Sequence, residues 1–248
     1  MSKSKRELSR EQRREAERAA IQAETRRRRV RNLLGAAGLA LVLVVAGIAI
    51  SANGGAKAKP VEHSDAAKLV AGIPEKDGVL GEANAPITVT EYLDPQCPIC
   101  AEASKANLPD LINNYVRTGK VKLQARTLSF IGPDSVTAAK WAHGAEQQGK
   151  LWAFLETFYA SQGQENSGYV TDDFLSGVAK AAGVDPGKAK AFSDGASAQA
   201  ALDQADGAAQ TLKVDSTPTF TVSKNGTGEQ VVAVGLDDLT NKLDKAIS

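Results

Sequence analysis

The sequence predicts an α/β domain with an all-helical insertion, preceded by one N-terminal transmembrane helix. Three observations carry this expectation. A run rich in β-branched and aromatic residues, Ile87–Leu93, leads into Cys97-Pro98-Ile99-Cys100 and then into a helical pattern of Leu108, Leu111, Ile112 and Tyr115. Residues 134–212 read as helices only, set between two strand regions. Residues 33–50 are an apolar stretch of eighteen residues without a charge.

From the N-terminus, residues 1–32 form a basic tail with twelve Lys or Arg and five Glu. Glu7, Glu11 and Glu15 share a helical face with arginines around them, the pattern of a solvated helix. Arg26 to Arg29 close the tail. As a helix, residues 33–52 span about 30 Å, enough to cross a bilayer core. The arginines on one flank put the N-terminus in the cytoplasm and the remainder outside a single-pass cell-membrane anchor. A cleaved signal peptide is the competing reading, because Ala56-Lys57-Ala58 has an A-x-A form. Against it, the apolar stretch exceeds the roughly 7–15 residues of a typical signal-peptide core. Beyond the tail the chain is acidic, with 18 Lys or Arg against 24 Asp or Glu from residue 32 on. Nucleic-acid binding is therefore not expected. Residues 53–78, with Gly54-Gly55, Pro60 and Pro74, read as a linker that lets the domain stand off the membrane, and His63 within it as solvent-exposed.

The domain proper, residues 79–248, begins with the strand and its cysteine pair, the two cysteines of the chain. Cys97 falls at a helix N-terminus, where unpaired N–H groups and the helix dipole favour a thiolate, the attacking sulfur in disulfide exchange. Cys100, one turn on, can close a disulfide with it and resolve a mixed disulfide. Pro98 suits the first helical turn. A zinc site wants four ligands, and neither His63 nor His143 stands at ligand spacing from the pair. A purely structural disulfide closing so short a loop removes little unfolded-state entropy. Redox chemistry without metal or cofactor is the reading that remains. Glu91, six residues before Cys97, lies in a strand that otherwise reads as buried. There its carboxyl is held protonated to unusually high pH, unless alternation turns it to a solvated face.

Strand, Cys-Pro-x-Cys and helix, together with a distant Thr217-Pro218-Thr219-Phe220, resemble the thioredoxin superfamily, and within it the DsbA-like thiol:disulfide oxidoreductases. The resemblance covers roughly residues 78–248. It implies a thioredoxin-like fold and an enzyme that introduces disulfides into exported proteins through the redox-active Cys97–Cys100 pair. It further implies a cis Thr217–Pro218 bond, with Thr217, Pro218, Pro98 and Ile99 beside an extended substrate. Glu91 takes the position of a buried acid that helps move protons, with Arg126 or Lys122 as its charge partner. The implied partners are exported substrates bearing thiols or disulfides and a quinone-linked membrane oxidase. The chain departs from the best-known oxidases in carrying Pro-Ile, not Pro-His, between its cysteines. Ile99 offers neither charge nor hydrogen bond and Asp94 is a nearby acid, so a less favoured thiolate and a milder oxidant are expected. A reductase or isomerase of the same fold is the alternative, and a redox-inert thioredoxin-like binding module is a third reading.

The remaining elements follow. Residues 120–130 alternate as a second strand, parallel to the first through a right-handed crossover. The insertion, about 134–212, reads as helices over 135–148, 151–161, 171–182, 186–194 and 198–212, with caps at Asp134, Thr171 and Asp185. Trp141, Trp152, Phe154, Phe158, Tyr159 and Phe174 form its core, and His143 is a packing or surface residue. Residues 219–223 and 230–234 are the last two strands, joined by a loop with the Asn-Gly signature of a hairpin but longer than two residues. Leu236, Leu239, Leu243 and Ile247 make one face of a closing helix.

Overall fold

The computed structural model describes residues 65–234, 241–242 and 244–245. The basic tail, the expected transmembrane helix (33–52) and most of the linker lie outside the described residues. Among the described residues no helix is long and apolar enough to cross a membrane. Of the closing helix, the four described residues are helical.

A short 3-10 helix, Asp65–Leu69, is followed by β1 (Glu75–Lys76) and β2 (Val79–Leu80). Next come β3 (Ile87–Leu93), α1 (Pro98–Ala106), α2 (Leu108–Leu111), a π turn (Ile112–Val116) and β4 (Val121–Thr127). Five helices follow: α3 (Pro133–Glu146), α4 (Leu151–Ala160), α5 (Asp172–Ala181), α6 (Pro186–Ser193) and α7 (Ala196–Leu212). The hairpin β5 (Thr219–Lys224) and β6 (Thr227–Val234) completes the sheet, whose order is β1-β2-β4-β3-β5-β6. Only the β3–β4 pair is parallel, the two being joined through α1; β5 runs antiparallel to β3.

β3 is the central strand, and the pattern of burial along it shows helices on both sheet faces. Ile87, Val89 and Leu93 pack with α1, α4 and the aromatic residues of the insertion. Tyr92, on the opposite face, packs with Leu128 and with Ala205 and Ala209 of α7. Trp141, Trp152, Phe154, Phe158, Tyr159 and Phe174 are all buried, each contributing roughly 2–3 kcal/mol of apolar transfer free energy. Phe158 and Phe174 meet edge-on at 5.6 Å, and Tyr169 and Phe174 at 5.0 Å.

The structure departs from the sequence expectation at several boundaries. Residues 65–76, assigned to the linker, belong to the folded domain. Asp77 and Gly78, with φ of 51° and 73°, make a two-residue turn that lets β1 pair with β2. Glu75 then accepts a 2.6 Å hydrogen bond from the Leu151 amide at the start of α4. The helix after the cysteines is broken at Asn107, because Pro109 has no N–H to continue the ladder. β4 ends at Thr127, and the Leu128 amide makes the last bond of the parallel ladder, to Leu93 O at 2.7 Å. Gly132, not Asp134, precedes α3, with Pro133 in its first turn. Thr171 and Asp185 do cap α5 and α6, accepting from the Phe174 and Lys188 amides. The last hairpin has a two-residue turn after all, Asn225 and Gly226 at φ of 52° and 74°.

Candidate active site

The sheet explains why two segments 120 residues apart meet. β5 runs antiparallel to β3, so its start lies beside the end of β3, where the chain turns towards the cysteines. The Thr217–Pro218 bond just before β5 is cis. Cys97 Sγ donates to the Thr217 carbonyl at 3.4 Å. On its other side Cys97 is the N-cap of α1, and its Sγ accepts from the Cys100 amide at 3.3 Å. Both cysteines are free thiols; Cys97 is 6% exposed and Cys100 is fully buried.

These surroundings split the two thiols. Hydrogen bonding from the Cys100 side chain, opposed by burial and aided by the Thr217 side chain and the Cys100 and Ile99 amides, lowers Cys97 to about 6. Burial, with the Cys97 side chain next, lifts Cys100 well above the ordinary thiol range. The arrangement suits Cys97 to ionise and keeps Cys100 protonated. The expectation that Ile99 gives the thiolate nothing is corrected here: its side chain is exposed, but its backbone amide is one of the stabilising donors. Thr217→Val deletes one such donor and should raise the Cys97 midpoint by about half a unit to one unit, read from thiolate absorbance against pH.

Asp94 also has a different part from the one expected. Its side chain is fully buried and turned into the protein, accepting from Ser135 Oγ at 2.6 Å, the Gln96 amide at 2.8 Å and the Ile131 amide at 3.2 Å. It ties the β3–α1 turn to the β4–α3 loop. Gln96, equally buried, donates to Tyr169 OH at 2.8 Å and accepts from the Asn166 amide, while Gln162 reaches the Pro95 and Cys97 carbonyls. The insertion thus holds the cysteine loop from two sides. Pro98 and Ile99 lie exposed at its rim, as does Phe130 in the β4–α3 loop.

Glu91 is buried at 3% exposure on the core face of β3. Burial, then the Glu156 and Cys97 charges, raise its pKa to about 8. Neither expected cation reaches it. Glu91 pairs in register with Ala125, so the neighbouring Arg126 and Lys122 stand on the other sheet face, where Lys122 Nζ donates to the Ala83 carbonyl. Its charged neighbour is instead Glu156 of α4, buried at 4%, which sequence reading missed. In the sequence Glu156 is an acid inside an aromatic helix, Leu151–Ala160, and that incongruity was its one available signal. His143 bridges Thr127 Oγ1 at 2.7 Å and Glu146 Oε2 at 2.6 Å.

The model of the thioredoxin family matches residues 74–244, more than half of the chain. This chain belongs to the thioredoxin family. A probable disulfide bond formation protein D of Bacillus cereus is 33% identical over 103 residues, 41% of this chain and 48% of that protein. The match thus spans about half the length of that relative. The disulfide bond formation protein D of Bacillus subtilis is 27% identical over 62% of this chain and 72% of its own. The solved structure of oxidised BdbD from Bacillus subtilis superposes with a TM-score of 0.60 at 24% identity, covering 72% of this chain and 95% of that one.

Proposed function

We propose that this protein is an extracytoplasmic thiol:disulfide oxidoreductase, anchored in the cell membrane by residues 33–52, that donates disulfides to exported proteins through Cys97-Pro98-Ile99-Cys100. The observation that carries the reading is Cys97 itself: a thiol lowered to about 6 at a helix N-terminus, backed by a fully buried thiol and facing the Thr217 carbonyl. The names of the relatives support it.

In the oxidising direction a substrate thiolate attacks Cys97 Sγ of the Cys97–Cys100 disulfide. The sulfur–sulfur bond breaks, its electron pair leaves on Cys100, and a mixed disulfide forms through Cys97. A second substrate thiolate attacks the substrate sulfur and expels Cys97 as a thiolate. Two electrons pass from substrate to enzyme. Pro98, Ile99, Thr217 and Pro218 frame the approach, with the backbone of Thr217 pairing an extended substrate as in strand addition. Glu91 moves the proton that Cys100 needs. Reoxidation falls to a quinone-linked membrane oxidase.

We read the direction of flow from the thiolate. A Cys97 pKa of about 6 lies between the values near 7 and near 3.5 of thioredoxin and DsbA, so a reduction potential between about −270 and about −120 mV is the expected result. At pH 7 the folded thiolate favours the reduced form by about 1.4 kcal/mol, or about 30 mV for two electrons. Because the folded pKa is depressed, that contribution is present above it and lost as pH falls through about 6. Equilibrating the full chain with glutathione buffers at pH 7 and at pH 5 tests this. A potential in the stated interval at pH 7, with catalysed oxidation of a reduced, unfolded substrate, supports the donor. A value at or below thioredoxin's moves the enzyme to the reductase class, and a pair that never equilibrates sinks the redox reading.

A further inference from the structure

We propose that Gln162 is a positioning residue for the Cys97 sulfur: its side-chain amide holds the backbone carbonyls of Pro95 and Cys97 and so sets the direction in which Cys97 presents its thiol. The proposal rests on the oxidoreductase reading above and adds to it the residue that aims the nucleophile.

The need for such a holder is written in the local sequence. The turn from β3 to α1 is Asp94-Pro95-Gln96-Cys97-Pro98, and its two prolines have no N–H. Between Asp94 and Pro98 only Gln96 and Cys97 carry backbone donors. Both turn back to Asp94, the first to its Oδ1 at 2.8 Å and the second to its carbonyl at 2.9 Å. The Cys97–Pro98 peptide therefore has a single hydrogen-bonding group, the Cys97 carbonyl. The orientation of that carbonyl goes with the ψ angle of Cys97, which is 117°. At this ψ Cys97 is the N-cap of α1, and its Sγ lies between the Cys100 amide at 3.3 Å and the Thr217 carbonyl at 3.4 Å. Rotation of this one peptide plane moves the sulfur relative to the helix N-terminus.

Two donors hold the plane. The Ala101 amide reaches the Cys97 carbonyl at 3.2 Å as the first bond of the helix, and Gln162 Nε2 reaches it at 3.2 Å from α4. The same nitrogen donates to the Pro95 carbonyl at 2.7 Å, so both hydrogens of the Gln162 amide are committed to this turn. The dipeptide between the two prolines is thus pinned at both ends by one side chain.

Gln162 works from a fixed base. It is half-buried just past the end of α4, and Tyr159, three residues earlier, donates through its hydroxyl to the Asp94 carbonyl at 3.3 Å. The loop after Gln162 returns to the same turn. The Asn166 amide donates to Gln96 Oε1 at 3.0 Å, and Gln96 Nε2 donates to Tyr169 OH at 2.8 Å. Asn166 holds the left-handed φ of 50°, which asparagine tolerates better than most residues. Its Nδ2 donates to the Ile131 carbonyl at 3.1 Å, beside Gly132, where a Cβ would run into the Asn166 side chain. The loop is therefore anchored on both the cysteine turn and the β4–α3 loop.

The titratable groups that face Cys97 are Cys100 from α1, Glu91 from β3 and Tyr159 from α4. A change at Gln162 alters the charge of none of them. A neutral substitution that shifts the ionisation of Cys97 thus reports where the sulfur sits.

The test uses the full chain and its Gln162→Leu, Gln162→Asn and Gln162→Glu variants. Three quantities are read: Cys97 thiolate absorbance against pH, the equilibrium with glutathione at pH 7, and unfolding by denaturant. Gln162→Leu releases both carbonyls and should raise the Cys97 midpoint from about 6 by about half a unit to one unit. The thiolate favours the reduced form, so the glutathione equilibrium should shift about three- to five-fold towards the disulfide. Gln162→Asn keeps the amide but is one methylene short of the carbonyls. It should move both quantities in the same direction, and it carries the test if Gln162→Leu does not fold. Gln162→Glu offers no donor when ionised and adds a negative charge, so its midpoint should rise most. A loss of stability in Gln162→Leu and Gln162→Asn, with midpoint and equilibrium unmoved, would overturn the proposal and leave Gln162 a structural tie. A rise confined to Gln162→Glu would count equally against it, since the added charge then accounts for the effect. If the unaltered chain does not exchange with glutathione, the oxidoreductase reading fails, while the thiolate titration still decides what Gln162 does.

Discussion

Cys97→Ser is expected to reduce thiol–disulfide exchange to background, while Cys100→Ala gives a protein that accumulates stoichiometric mixed disulfide with a substrate. The asymmetry follows from the two environments. Cys97 carries the lowered pKa and is the sulfur at the cysteine rim, beside Thr217. A serine hydroxyl in its place is neither ionised near neutral pH nor capable of a sulfur–sulfur bond. Cys100 has no exposed surface, so external thiols do not reach it, and its loss removes only the internal resolving thiol. Cys100→Ala also deletes the largest influence on the Cys97 thiolate, the Cys100 side-chain hydrogen bond, and should raise its midpoint above 6. Mass spectrometry of the trapped species, with a thiolate titration of the same variant, checks both parts. Mixed disulfide carried by Cys97→Ser through Cys100 would contradict the assignment.

Asp94→Ala is expected to be the most destabilising single change at the site. Asp94 is a fully buried carboxylate whose partners are the Ser135 hydroxyl and the Gln96 and Ile131 amides. Truncation leaves these donors buried without an acceptor, a loss of about 3–5 kcal/mol. It also frees the turn that sets the direction of Cys97. Denaturant unfolding of the oxidised protein measures the first effect, and the Cys97 midpoint measures the second. Asp94→Asn keeps an acceptor oxygen and should lose less than half as much. Equal losses for the two substitutions would show that the charge, not the hydrogen bonding, matters at this position.

Several parts of this arrangement were legible in the residues alone. The β-branched run of β3, the spacing of Cys97 and Cys100, Pro98 in the first helical turn and the Thr217-Pro218 segment name the chemistry, because each depends on neighbours within a few positions. The aromatic residues of the insertion announced a core. Asp77-Gly78 is a hairpin signal that was present but hidden, since only two residues of strand flank it on either side. The break at Asn107 was likewise local, with Pro109 two residues on.

What lies between segments was not legible. Asp94 read as a charge that would disfavour the thiolate, yet its side chain turns inward to donors 37 and 41 residues away. Ile99 read as inert because its side chain is, although the backbone amide it contributes at the helix N-terminus is part of the site. Arg126 and Lys122 were the nearest cations to Glu91 by sequence spacing, and the parallel register puts both on the far face of the sheet.

By itself the sequence determined the family and pointed to Cys97 as nucleophile and Cys100 as its resolving partner, because a Cys-Pro-x-Cys at a strand-to-helix junction fixes thiol placement through backbone geometry alone. The tertiary structure decided how strongly those thiols differ and what serves them. The antiparallel pairing of β3 with β5 brings Thr217 to Cys97, and the packing of α4 across α1 brings Glu156 to Ser104. Both depend on burial and on contacts across more than fifty residues. Those are the quantities that set a pKa, and no local pattern of residues encodes them.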